Sequence, residues 1–153
     1  MKEKTNLSTQ SSIAINAGAD AIWDVLTNPD KIKLYLFGSI VHTDWKVGSP
    51  IVFTRDRLHP SAPLSEKPIV DKGQLLEIEN EKLLKFTFYS SMEGYDDLPE
   101  NYSTVTYTIE QENKHQYKLT YLREHIPIEF ERMNQERFLP GLLQQIKAMA
   151  EGN

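Results

Sequence analysis

Two guanidiniums continue aromatic rows in this 153-residue chain. Arg55 follows Phe53 by two positions and Arg123 follows Tyr121 by two, so on extended strands each cation shares a face with the ring before it. A guanidinium so placed can fork onto a carboxylate and fix an anionic ligand. The plainer alternative is a solvated strand end paired with Glu124 or Glu131. Tyr107 and Tyr121 lie in otherwise apolar rows, where a buried phenol needs a partner for its hydroxyl. Other candidates are thin. His42, His59, His115 and His125 are scattered, with no i, i+4 pair and no carboxylate at ligand spacing, so no metal site is expected. Glu77, Glu79 and Glu81 alternate along one strand face and belong in water, and Asp96-Asp97 beside Gly94 reads as a solubilising loop tip. There is no G-x-S-x-G elbow, no glycine-rich phosphate loop and no Walker lysine, so no catalytic residue and no cofactor are assigned.

Composition narrows the classes further. A chain of 153 residues with 39% hydrophobic and 10% aromatic content can bury a core as one domain spanning 1–153. The net charge of −5 argues against a nucleic-acid partner, which would need a basic face. With no cysteine there is no disulfide framework, thiol nucleophile or thiolate metal site. The opening MKEKTNLSTQ has no apolar core and no run approaches a membrane span, so a soluble cytoplasmic protein is expected, its first seven residues frayed.

The elements that must position these residues follow from periodicity. Ser8–Asn16 alternates as a strand. Ala19, Ile22, Trp23 and Leu26 make one helical face, and Asn28-Pro29 restarts a second short helix, Asn28 as N-cap and Pro29 at the first position, running to about Tyr35. Three hairpins follow: Ile40–Thr43 with Ile51–Arg55, Ile69–Glu79 with Leu83–Ser90, and Tyr102–Gln111 with Gln116–Arg123. Gly48 supplies the positive φ of the first turn, and a loop over Leu58–Pro68 holds three prolines. The chain closes on Pro127–Gly152, where Leu139, Leu142, Leu143, Ile146 and Ala150 form one helical stripe. Such a helix is about 35 Å long and cannot stand alone. Pro140 removes a bond to the Glu136 carbonyl and predicts a kink or break between Arg137 and Gly141.

The strands have two unlike faces. Leu84, Phe86 and Phe88 alternate with Lys85, Thr87 and Tyr89; Val105, Tyr107 and Ile109 alternate with three threonines. An antiparallel sheet covered on one side is the consequence, and the terminal helix is the cover. The expected architecture is α+β, seven strands curved around one long helix with two small helices plugging an end.

That element order resembles the helix-grip fold of birch-pollen-allergen and START-like proteins. Ile13-x-Ile15-Asn16-Ala17, Ile22-Trp23-x-x-Leu26-Thr27-Asn28-Pro29, Trp45-Lys46-Val47-Gly48 and Gly73-Gln74-Leu75 resemble the SRPBCC superfamily. The nearest branch is the one named after the activator of the ninety-kilodalton heat-shock-protein ATPase, and the likeness covers residues 8–151. These motifs specify fold rather than function. Where many relatives carry Gly-Trp before the final stripe, this chain has Pro140-Gly141-Leu142, which leaves room for a reshaped cavity.

A curved sheet gripping a helix leaves space between them. The inward side chains expected to bind a ligand are Phe53, Arg55, Phe86, Phe88, Tyr107, Leu119, Tyr121, Arg123, Phe138, Leu142 and Ile146. Three functions compete. The first is binding of a hydrophobic small molecule, a lipid or aromatic metabolite with an acidic group on it as an option, against the alternative that the same residues pack a solid core. The second is a chaperone-regulating interaction module, as the branch name implies, although the eukaryotic activator carries an additional N-terminal domain. The third is a cyclase- or hydrolase-like enzyme using Tyr107, Tyr121, Arg55 or Arg123 as acid or anion clamp; nothing in the residues requires it.

Overall fold

A computed structural model describes residues 6–55, 69–91 and 94–152. Seven strands, β1 (Thr9–Ile15), β2 (Ile40–Thr43), β3 (Pro50–Arg55), β4 (Ile69–Glu79), β5 (Leu83–Ser90), β6 (Ser103–Asn113) and β7 (Gln116–Glu124), form one antiparallel sheet. Their order is β1-β7-β6-β5-β4-β3-β2, so the first two strands are opposite edges. Helices α1 (Ala19–Thr27) and α2 (Pro29–Tyr35) carry the chain between those edges, and α3 (Glu129–Ala150) covers the concave face. This is the helix-grip arrangement expected from the sequence. The proline-rich stretch Leu58–Pro68 lies outside the described residues.

Local chemistry sets most boundaries. Asn28 caps α2 by accepting a hydrogen bond from the Asp30 amide at 3.0 Å, and Pro29 needs no donor at the first helical position. Gly48 takes φ 91°, as its hairpin requires, and Trp45 in the same turn also goes left-handed at φ 56°. The third hairpin is tighter than expected. Asn113 pairs with Gln116, leaving only Lys114-His115 in the loop, and the Asn113 Oδ1 accepts from the His115 amide.

Pro140 does not break the terminal helix, which runs unbroken over 22 residues from Glu129 to Ala150. Pro140 and Glu136 both face solvent, so water can satisfy the carbonyl that proline leaves without a donor. The opposite side holds the rod in place: Leu139, Leu142, Leu143 and Ile146 are all buried, each worth about 1.5–3 kcal/mol of apolar transfer.

The outer face is not wholly wet. Tyr89 points away from the helix yet is buried, because Tyr102 stacks on it at 5.3 Å and its hydroxyl donates to the Tyr95 carbonyl. Asp97 likewise is no free tip. It pairs with Lys72 and accepts from the Tyr102 hydroxyl at 2.6 Å, which hold its carboxyl below the usual range; burial and then the Asp97 hydrogen bond and charge push the Tyr102 phenol up to about 12.

Candidate functional site

The space between sheet and α3 is solid at one end and open at the other. Ile15, Ile22, Leu75, Leu119, Leu143 and Ile146 have no measurable or at most 1% exposure and fill the solid end. Towards the opposite end the helix and sheet part around a cavity of about 250 Å³. Strand residues Phe53, Arg55, Phe86, Phe88, Tyr107, Tyr121 and Arg123 line it from one side, and Phe138 and Leu142 from the helix. Leu119 and Ile146, expected with them, belong instead to the solid end.

The walls are built by period two and period 3.6. On β5 the inward row Leu84, Phe86, Phe88 ends in Ser90, and on β6 the row Ile109, Tyr107, Val105 ends in Ser103. On β4 the same alternation runs from buried Leu75 back to Asp71, which faces Phe53 on one neighbour and Ser90 on the other. On α3, Glu131, Asn134, Gln135, Phe138 and Leu142 share one face, polar in the first turns and apolar beyond. Every element therefore turns polar at the same end. The cavity has an aromatic body and a polar head.

Two cations and two carboxylates make that head. Arg123 is 3% exposed, its Nε donates to the Ser103 hydroxyl at 2.8 Å, and its terminal nitrogen stands 3.6 Å from Glu131. Its guanidinium also lies 4.9 Å over the Phe88 ring. The pairing with Glu131 is the plainer alternative read from the sequence, but the strand end is buried rather than solvated. Arg55 lies over the exposed ring of Phe37 at 5.4 Å. Asp71 is the residue the sequence reading missed. Burial raises its carboxyl above the ordinary aspartate value, against the lowering effects of a hydrogen bond from Ser90 and of the Arg55 and Arg123 charges. One of its oxygens, Oδ1, is shut off from solvent and accepts no hydrogen bond. The signal was present: Leu75 inward makes Asp71 inward, but beside Lys72 it looks like a surface charge pair.

Burial, with the neighbouring Tyr35 and Tyr121 hydroxyls, pushes the Tyr107 phenol well above its ordinary value, so it stays protonated; its ring meets Tyr121 edge-on at 5.1 Å. A neutral phenol of this kind can donate a hydrogen bond but is no base. Among the described residues no cluster of three histidine or acidic side chains could hold a metal, and no helix is long and apolar enough to cross a membrane.

The fold is that of a known group. The family profile described as "Activator of Hsp90 ATPase homolog 1-like protein" matches residues 16–151. The chain belongs to that family. A solution structure from Cytophaga hutchinsonii is 31% identical to this member, with TM-score 0.78 over 98% of this chain and 97% of the other. The Aha1 dimer from Colwellia psychrerythraea, 15% identical, superposes with TM-score 0.69 over 95% and 96% of the two chains. An HSP90 activator from Plasmodium falciparum, also 15% identical, gives TM-score 0.70 over 94% and 95%. At that identity the last two are alike in fold alone. No curated protein matches the chain in sequence.

Proposed function

We propose that this member of the Hsp90-ATPase-activator-like family binds a small hydrophobic molecule between its sheet and α3. The observation that supports it is the cavity itself: about 250 Å³ walled by Phe53, Phe86, Phe88, Tyr107, Tyr121 and Phe138. Protein interiors are close-packed, so a void of this size loses contacts that a ligand would restore. Its volume falls just below the range of drug-sized pockets, which suits a one- or two-ring metabolite or a short acyl chain. The reading needs no chemical step, because the Tyr107 phenol is held neutral and the cations are engaged with a carboxylate and rings. A thermal-shift and native mass-spectrometry screen of fatty acids and aromatic metabolites tests it. Stoichiometric adducts that raise the melting temperature support the reading, and a screen without binders removes it.

A second reading, regulation of a chaperone ATPase, has the family description and the fold of the Plasmodium activator in its favour. An ATPase assay with the purified chaperone separates the two. Stimulation that persists when the cavity is filled by an inward Val105→Trp change would favour the interaction module.

A further inference from the structure

The polar head of the cavity specifies what kind of ligand the aromatic body can hold. This inference rests on the small-molecule reading above and adds the chemistry of the ligand's own polar group. Four charged side chains line the cavity there: Arg55, Asp71, Arg123 and Glu131. Their charges cancel. Arg123 is already spoken for by the Ser103 hydroxyl, Glu131 and the face of Phe88. An incoming carboxylate would stand beside Asp71 and Glu131 in a half-dry space, where like charges repel strongly. An incoming ammonium would meet two guanidiniums. An uncharged group disturbs neither balance.

Among the acceptors on the wall, Asp71 is the one short of donors. Ser90 hydrogen-bonds its carboxyl, and yet Oδ1 receives nothing and is closed to solvent. A desolvated carboxylate oxygen without a donor is costly, and a donor supplied to it is worth more than an ordinary hydrogen bond. The terminal torsion of aspartate is soft, so a partial turn carries Oδ1 out of its closed position to where a donor in the cavity reaches it. Phe53 and Ser90 flank Asp71 on the neighbouring strands, so its carboxylate sits where the aromatic wall ends.

From this juxtaposition we infer that the cavity takes an uncharged aromatic or aliphatic ligand bearing an O–H or N–H, a phenol, alcohol or amide, whose donor is accepted by Asp71. The ligand's ring or chain lies among Phe86, Phe88 and Tyr107, and its hydroxyl or amide faces β4. Free acids of the same size are disfavoured, in contrast to the carboxylate fork that the arginines alone suggested.

Three matched probes test this by calorimetric titration at pH 7: 2-naphthol, which donates; 2-methoxynaphthalene, which cannot; and 2-naphthoate, which is anionic. The expected result is 2-naphthol tighter than each of the others by roughly 10-fold or more, the worth of a hydrogen bond to a charged acceptor. Asp71→Leu should abolish the gap between 2-naphthol and 2-methoxynaphthalene. Asp71→Asn, which keeps shape and loses charge, should narrow the gap between 2-naphthol and 2-naphthoate even where the leucine variant does not fold. Preference for 2-naphthoate, a naphthol gap that survives Asp71→Leu, or an unchanged naphthoate gap in Asp71→Asn overturns the inference while leaving a ligand cavity intact. Failure of all three probes to bind overturns the cavity reading itself.

Discussion

Phe37 stacks on Phe138 with ring centroids 5.8 Å apart, one ring from the turn after α2 and the other from the terminal helix. Phe37 is 69% exposed, holds a left-handed backbone at φ 54°, and carries the Arg55 guanidinium on its ring. Phe37 also lines the cavity, so an exposed ring stands where the cavity meets solvent. Phe37→Ala removes a stack worth about 0.5–1.5 kcal/mol, so the dissociation rate of a bound ligand should rise roughly 2- to 10-fold. Stopped-flow displacement measures it. An unchanged rate would place the route into the cavity elsewhere.

The Arg123–Glu131 pair ties β7 to the first turns of α3 inside the protein, with both side chains nearly buried. Removing one partner of such a pair strands the other, at a cost of about 3–5 kcal/mol. Arg123→Met should therefore destabilise strongly in urea titration, and the added change Glu131→Leu should recover most of the loss. Failure of the second change to rescue the first would show that Ser103 and Phe88, not Glu131, carry the role of Arg123.

Asp71 has the opposite sign. Its carboxyl is raised above the ordinary 3.8 chiefly by burial, so the folded state holds the proton more tightly than the unfolded chain does. The stability this contributes is present below that value and is lost as pH rises through the folded-state pKa. Asp71→Asn should thus match the parent in acid and exceed its melting temperature at neutral pH, the difference growing as pH climbs from 3.8. A variant less stable at pH 7 would mean that attraction to Arg55 and Arg123 outweighs desolvation.

Two glycines separate close approach from open space. A Cβ on Gly73 would lie 1.6 Å from the Thr87 carbonyl oxygen, so Gly73→Ala must push β4 off β5 and should cost about 1–3 kcal/mol or more. Gly141 sits in α3 on the solvent side, with nothing within 4 Å of a Cβ, and Gly141→Ala should add about 1 kcal/mol. Equal effects in denaturant titrations would contradict the register of β4 against β5.

The fold was legible because its signals are local and redundant. Alternation along Phe86–Phe88 and Val105–Ile109 fixes which face is covered, and Asn28-Pro29 marks a helix start with two independent preferences. The site was half legible for the same reason. Rings two apart on strands found the aromatic body, while the point at which packing stops depends on how far the sheet bends from the helix, and period alone could not separate Leu119 and Ile146 from Tyr121 and Leu142. Asp71, Ser90 and Ser103 are the polar ends of rows whose apolar members are obvious. The break expected at Pro140 is absent because propensity is local while packing is not: the buried leucines on either side outweigh one missing hydrogen bond at the solvent face.

The claim on which the rest depends is that a small apolar molecule enters the space between sheet and helix. Methyl-labelled protein titrated with 2-methoxynaphthalene tests it through intermolecular NOEs. Contacts are expected to the methyls of Val105 and Leu142, which face the cavity, and not to those of Leu119 and Ile146 in the solid end. Contacts confined to surface methyls such as Val47, or none at saturating probe, would contradict it.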